Sequence, residues 1–391
     1  MFEIIDYDSF EPHTPVNDSP TFMFAVKSPY YSEHLNNYFS SFITDKKIYI
    51  INAQSYTKNP FPTLSNSIIS EVNDSKAFIL LCQEDEYDNW SNLRDKIQNK
   101  LVDIKSENIF IITSNIYFNY VVHSYEKDNC PFKIFFFNKF FALFNGKNFY
   151  SKHNIKKHFN FLARREKDHR RYLYYKIKKF NLLEKGNISH HKTRHINDTT
   201  QDDMLFENQL KEKLSKSDYD EYKRYSSETK LLNQNDELNS HTLEEPDFYD
   251  QFYINHPNIC NTAFLDVVTE ASADNGCLFI TEKTLKSVAY KKLFLIAGNP
   301  YSLKFLQNLG FKTFPHIFDE SYDLKLCKIS RLDHISNELL KFCSLPLSEV
   351  EKLKNDNKDI LDYNYEHLVK NFDCTFNLIP KIQSYLRRHR V

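Results

Sequence analysis

Glycine is nearly absent from this chain: 5 residues in 391. No G-x-G-x-x-G turn and no Walker loop occurs, which excludes a glycine-lined backbone cradle for phosphate. Any anion site must therefore draw on side chains. Cysteine gives no pattern either. Cys82, Cys130, Cys260, Cys277, Cys327, Cys343 and Cys374 form no C-x-x-C pair and no cluster with metal-ligand spacing. The reading is reduced thiols in a cytosolic compartment, with no disulfide framework and no zinc site. Long apolar runs are missing too. The start, Met1-Phe2-Glu3-Ile4-Ile5-Asp6, is acidic and lacks the apolar core of a signal peptide. The run from Phe132 to Phe144 is broken by Lys133, Asn138 and Lys139 and is too short to span a membrane. Neither sign of charge dominates: 51 Lys and Arg against 52 Asp and Glu leave a net charge of −1. No global field draws the protein onto nucleic acid or anionic lipid.

Aromatics, in contrast, abound, with 34 Phe and 25 Tyr. Alongside plentiful Lys, Asn and Ile this points to an AT-rich genome, so a single Tyr or Phe is a weak functional clue. The length accommodates two domains, each with its own core. Short continuous apolar runs at Ile48–Ile51, Ala77–Leu81, Ile109–Thr113 and Ile134–Phe137 predict strands covered on both faces, as in a parallel sheet. Helix-like stretches between them give a β-α-β rhythm. A strand at His158–Leu162 leads into a helix over Asp168–Leu183, and residues 190–245 read as a polar, partly helical insertion. A second α/β stretch follows, with strands at Ala263–Val268, Leu278–Ile280, Leu293–Ala297 and Lys312–Phe314 and a helix over Tyr301–Leu309 stopped by Gly310. The expected organisation is an N-terminal Rossmann-like acceptor domain over 1–155 and a strand-helix connection with a polar insertion over 156–250. A C-terminal Rossmann-like domain with a helical tail, about 347–388, occupies 251–391. Two such domains should face a cleft.

The run Phe279-Ile280-Thr281-Glu282-Lys283-Thr284-Leu285-Lys286 is the most informative segment. A strand that ends on Thr-Glu-Lys and opens a helix presents backbone N–H groups, a carboxylate and an ammonium at one point. That combination suits a phosphorylated ribose. Thr281 is also a good N-cap, Glu282 complements the helix dipole and Glu282–Lys286 is an i,i+4 pair, so a capped helix start explains the same residues without a ligand. A second concentration of charge, Arg164-Arg165 followed by Asp168-His169-Arg170-Arg171, falls at a strand-to-helix junction. Arg supplies planar, bidentate donors for phosphate. Arg164 and Arg165, at the strand end, are expected to face the site; Arg170 and Arg171 are expected nearer the surface.

The neighbouring segments carry a resemblance. Val268-Thr269-Glu270, Phe279–Lys286, Leu293–Gly298, Leu309–Phe314 and Asp319–Asp323 together make residues 262–335 similar to the donor-binding half of family-10 type α-1,3-fucosyltransferases. The segment looks still more like the fucosyltransferase-like glycosyltransferases of phages and large viruses. The resemblance implies an α/β, GT-B-like fold with a nucleotide-diphosphate sugar as co-substrate and no other cofactor. It also implies Glu282 on sugar or ribose hydroxyls, Lys283 on the diphosphate and an Arg from the 164–165 region on the donor. Thr281, Asn299 and Tyr301 complete the expected donor contacts.

An inverting transfer also needs a base near the acceptor hydroxyl. Glu84, just past the Ala77–Leu81 strand, is the first candidate, ahead of Asp85, Glu86 and His123. Glu270 is a second carboxylate expected to face the donor sugar. Asp6-Tyr7-Asp8 and Asp218-Tyr219-Asp220 match a D-x-D metal pattern, but neither follows a long apolar strand, and His190, His191 and His195 read as a polar loop. The expectation is therefore a metal-independent, cytoplasmic glycosyltransferase, in the host cytoplasm if viral, acting on a glycan or other hydroxyl acceptor. A DNA-modifying glycosyltransferase acting on hydroxylated bases and a non-enzymatic Rossmann-like binding module are the alternatives.

Overall fold

The computed structural model describes residues 2–3, 47–53, 64–83, 94–95, 97–99, 101–113, 133–136, 144, 149, 153–163, 167–190, 201–228, 261–274, 278 and 280–371. The chain forms two compact units. One comprises Met1–Ala142, Gly276–Phe279 and Asp373–Val391; the other comprises Leu143–Asn275 and Ile280–Phe372. Both are α/β with parallel sheets.

The first unit holds strands β1 (Phe2–Glu3), β2 (Lys47–Ala53), β3 (Ala77–Gln83), β4 (Ile109–Thr113) and β5 (Lys133–Phe136), hydrogen-bonded side by side in chain order. Helix α1 (Asn66–Asn73) starts at Ser65, whose hydroxyl accepts the Ile68 N–H, and turns Ile68 and Val72 inward. These side chains join Ile79, Leu81, Ile109 and Ile111 in one apolar core. Asn108 Nδ2 donates to the Val72 carbonyl at 2.7 Å, giving that buried carbonyl at the helix end a partner. The four predicted strands of this half are present.

The second unit is built on β6 (Lys157–Ala163), β7 (Gly186–His190), β8 (Ala263–Thr269) and β9 (Leu293–Ala297), in the order β7-β6-β8-β9. The segment expected as a connection, 156–250, thus contributes two strands to this sheet. Helix α2 (Asp168–Lys179) links β6 to β7. Helices α3 (Gln201–Lys213) and α4 (Lys216–Ser226) precede β8, α5 (Glu282–Ala289) crosses from β8 to β9, and α6 (Ser302–Asn308) follows. Every residue of β8 and β9 is buried. That agrees with the unbroken apolar sequence of β9, as expected of a strand covered on both faces. In β8 the run is interrupted by Asp266, which is buried with Asn160, Ser287 and Lys292 as partners. The C-terminal helices are α7 (Lys328–Ser344), α8 (Leu347–Asp356) and α9 (Lys358–Glu366). None of the described helices is long and apolar enough to cross a membrane.

Two predicted strands do not appear among the described residues. Leu278 and Ile280 lie outside any strand, with Ile280 fully buried at the approach to α5. Lys312–Phe314 does not extend the sheet; Phe314 packs edge-on against Phe294, with ring centroids 5.1 Å apart. Ile280 and Phe314 are apolar because they fill the core, which a single buried apolar side chain cannot distinguish from strand formation.

Inside this sheet, Gly186 opens β7 where a Cβ would stand 2.5 Å from the buried Phe159 ring. Gly186→Ala should therefore cost about 1–3 kcal/mol through overpacking. Thermal unfolding should register this as a melting temperature several degrees lower; an unchanged value would mean that Phe159 moves aside freely.

Candidate functional site

The two sheets differ in one respect that bears on ligand binding. In the first, successive strands add in one direction. In the second, the chain goes from β6 out to β7 and then returns past β6 to place β8 on its other side. The strand order therefore reverses between β6 and β8. In open parallel sheets the crevice beyond the carboxyl ends of the strands at such a reversal is where ligands bind. β6 and β8 run in register from Lys157↔Ala263 to Asn160↔Asp266, and β8 ends at Thr269, immediately before Glu270.

Glu270 is completely buried. Its Oε1 accepts the Thr281 N–H at 3.2 Å and the Thr284 hydroxyl at 2.6 Å, and its Oε2 accepts the Thr281 hydroxyl at 2.5 Å. Its backbone carbonyl meets the other helix: Arg170 Nη2 donates to it at 3.0 Å, and His169 Nε2 lies 3.0 Å away. One residue thus ties the first turns of α2 and α5 to the end of β8. The carboxylate expected to face a donor sugar is turned into α5, since three donors converge on it in a dry setting.

At the start of α5, Thr281 is the N-cap, its hydroxyl accepting the Lys283 N–H. The N–H groups of Thr281 and Lys283, expected to face phosphates, are both taken up by side chains. The cation presented there is Lys283 itself, 33% exposed, with Nζ donating to Glu282 Oε1 at 2.8 Å and to Thr281 Oγ1 at 3.2 Å. The Glu282 carboxylate, expected on sugar hydroxyls, is buried against this lysine. Burial acts to raise its pKa, but Lys283 and Lys286 outweigh that and hold it below the ordinary glutamate value.

The first turn of α2 is also interior. Arg170 and Arg171, expected near the surface, are 4% and 7% exposed, and Arg170 Nη2 reaches the Thr269 carbonyl as well as that of Glu270. Asp168 is ion-paired with Lys328 at 2.6 Å, and Lys328 pairs also with Asp274 on the loop after β8. Burial opposes ionisation of Asp168, yet His169 and Lys328 hold its carboxyl well below the usual range. Burial and the charges of Arg170 and Lys328 push the His169 imidazole down, with Asp168 opposing.

Beyond β9, Gly298 lies against this assembly: a Cβ there would be 3.2 Å from Glu270 Cγ. Asn299 is buried and donates to the Asp274 carbonyl at 2.8 Å. Tyr301 is exposed and left-handed, at φ 67°, a conformation costing a non-glycine residue on the order of 1–3 kcal/mol. Asp323 supports it. Its carbonyl accepts the Tyr301 N–H at 2.8 Å, and its carboxylate accepts the Leu303 and Lys304 N–H groups at 3.0 Å, capping α6 from outside that helix. Arg331, 1% exposed, bonds the carbonyls of Gly298, Lys325, Leu326 and Ala273, and burial pushes its pKa down to about 10. Sequence reasoning assigned no role to Lys328 or Arg331. They are isolated cations on a distant amphipathic helix, with no local pattern to mark them.

Arg164, Arg165, Glu84, Asp85, Glu86, His123, His191, His195 and Asp6-Tyr7-Asp8 lie outside the described residues. Asp218 of the second D-x-D match is on α4, paired with Lys179. His190 stacks on Tyr174 with ring centroids 4.3 Å apart. No group of three or more His, Cys, Asp and Glu able to hold a metal ion occurs among the described residues.

No protein-family model matches the chain, and no curated protein matches it. Among solved structures, it is similar to a T4 phage BGT mutant in complex with UDP-glucose, at 10% identity and TM-score 0.30, over 83% of each chain. It is also similar to the DNA-modifying enzyme β-glucosyltransferase determined in the presence and absence of uridine diphosphoglucose. There the identity is 12% and the TM-score 0.27, over 82% of this chain and 99% of the other. These scores assign the chain to no family.

Two outcomes test the described geometry. Glu270→Ala strands the Thr281 and Thr284 donors and should destabilise the protein by about 2–5 kcal/mol, read by thermal or urea unfolding. An effect below about 0.5 kcal/mol, typical of an inconsequential surface change, would contradict the bonding described. Acid should also destabilise it. The depressed Asp168 carboxyl contributes stability that is complete above its unfolded value of 3.8 and is lost as pH falls through and below it. The depressed His169 imidazole contributes stability that begins to fall once pH drops below 6.5, because the unfolded ring takes the proton first. Both have the same sign. The melting temperature should fall as pH is lowered from 7 towards 4, and His169→Gln should flatten the part of the fall that begins near 6.5.

Proposed function

We propose that the chain is a GT-B-like glycosyltransferase that moves a sugar from a nucleotide-diphosphate sugar to an acceptor hydroxyl. The observation that carries this reading is the placement of Lys283. It is a partly exposed ammonium on the first turn of a helix, at the carboxyl end of a parallel sheet beside the reversal of strand order. A ligand there meets a positive charge held in place, which favours a diphosphate.

In this reading the bond between the anomeric carbon and the diphosphate oxygen breaks as the acceptor oxygen bonds to the opposite face, inverting the sugar centre. The leaving diphosphate gathers negative charge, and Lys283 stabilises it without moving, because Thr281 and Glu282 already hold its ammonium. Arg164 and Arg165, which follow the last residue of β6 in sequence, are the second half of the clamp. Tyr301, exposed beyond β9, contacts the nucleoside, and Asn299, buried, holds the loop at Asp274 in place. Glu270 serves as a positioning residue for the α5 turn. The base that takes the acceptor proton is assigned to the N-terminal half, with Glu84 as its first candidate. The chemistry is assigned to side chains, without a metal.

A thermal-shift panel of UDP-, GDP- and ADP-sugars tests the donor site. One nucleotide class should stabilise the wild-type protein, and Lys283→Ala should lose most of that shift. If no nucleotide sugar raises the melting temperature, or the variant responds as well as wild type, the donor-site assignment is wrong.

A further inference from the structure

We propose that Tyr301 is an aromatic platform for the planar base of the nucleotide, kept in a left-handed backbone conformation so that its ring stays at the rim of the sheet. The inference rests on the nucleotide-sugar reading above and names the part of the ligand that this residue recognises.

The position is one where tyrosine is a poor structural choice. At φ 67° the backbone favours glycine or asparagine. Full burial does not account for tyrosine there, since it remains 43% exposed. The residue does not supply the cap of α6, because its side chain makes no capping hydrogen bond and the Asp323 carboxylate does that work. Strain without full burial or a capping return is the signature of a residue retained for contact.

Its surroundings suit a flat, largely apolar face. Tyr301 N–H is bonded to the Asp323 carbonyl, which brings Leu324 alongside in the backbone; Leu324 and the nearby Leu326 are 59% and 55% exposed. Arg331 fixes this rim, bonding both the Leu326 carbonyl and that of Gly298, three residues before Tyr301. Gly298 in turn abuts Glu270, which carries the first turn of α5 and Lys283. The rim and the cationic turn are therefore held in one rigid set of contacts. The diphosphate belongs at Lys283 and the base at Tyr301. A ring face recognises any base by stacking, so Tyr301 contributes affinity for the nucleoside more than choice among bases.

The test is calorimetric binding of UDP, GDP, ADP and inorganic pyrophosphate to the full chain, with melting temperatures, for wild type, Tyr301→Asn and Tyr301→Phe. Tyr301→Asn should weaken the preferred nucleoside diphosphate by about tenfold to a hundredfold. Pyrophosphate affinity should change by less than about twofold, on the order of a weak indirect effect. The melting temperature should stay level or rise, because asparagine tolerates the left-handed region. Tyr301→Phe should bind as wild type.

If Tyr301→Asn binds the nucleoside diphosphate undiminished, the platform is refuted while the Lys283 site stands. Equal loss of pyrophosphate, or a lower melting temperature, would make the ring a packing residue and refute it too. A loss in Tyr301→Phe as large as in Tyr301→Asn would put the contact on the hydroxyl and reject stacking. No nucleoside diphosphate bound by wild type would overturn both this inference and the function it rests on.

Discussion

The Glu270 carboxylate is the contact on which the second unit's site depends. A carboxylate withdrawn from water is costly unless donors replace its hydration, and here two threonine hydroxyls and one backbone N–H do so. Those donors all belong to the start of α5. Satisfying the charge and fixing the direction of the helix are therefore one event. The same residue's carbonyl meets Arg170 of α2, so the two helices flanking the reversal of strand order are referenced to a single point at the end of β8. Gly298 fits because it lacks a side chain where Glu270 Cγ passes.

Charge is arranged around that point in alternating layers. Glu270 and Glu282 are buried anions at the α5 turn, with Lys283 against the second of them. On the α2 side, Lys328 lies between Asp168 and Asp274. Arg331 departs from the pattern, reaching four backbone carbonyls and serving as a peg for three loops. Such networks hold only when each member is satisfied, because a buried charge that loses its partner costs several kcal/mol. The arrangement is rigid for that reason, and a rigid cation is what electrostatic stabilisation of a leaving group needs.

How much of this was legible in the sequence follows from how local each feature is. Strands β2 to β4 and β9 were readable because a strand covered on both faces writes itself as a continuous apolar run. β8 was readable because its one charged residue, Asp266, is flanked on both sides by such runs. Thr281 was readable as a cap because capping is decided within three residues. The order β7-β6-β8-β9 was not readable, because it is set by which sheet edge each crossover reaches. The segments around Ile280 and Phe314 misled for the converse reason, since a buried apolar side chain serves core filling and strand formation alike. Glu270 stood out as a carboxylate at a strand end, but its direction did not: whether it meets a ligand or a helix depends on Thr281 and Thr284, eleven and fourteen residues on. Arg170 and Arg171 looked like surface residues because they lie past the strand end, on a charged helix start. The carbonyls at the end of β8 that take Arg170 inward are about a hundred residues away.

The scarcity of glycine acquires a mechanism from this geometry. A phosphate site made from backbone N–H groups needs close approach and unhindered turns, and therefore glycine. In this chain the N–H groups of Thr281 and Lys283 are spent on Glu270 and on the cap. What is left to meet an anion at that turn is a side chain, and Lys283 is already engaged with the Glu282 carboxylate. On the proposed function, an arriving diphosphate competes with that carboxylate for the same ammonium. Binding then exchanges one anion for another around a cation that stays in place, so little reorganisation accompanies it. The exchange also sets a limit: Glu282 must find other donors once its lysine is shared. On the same proposed function, sugar or ribose hydroxyls brought by the ligand itself are the donors that chemistry supplies to Glu282.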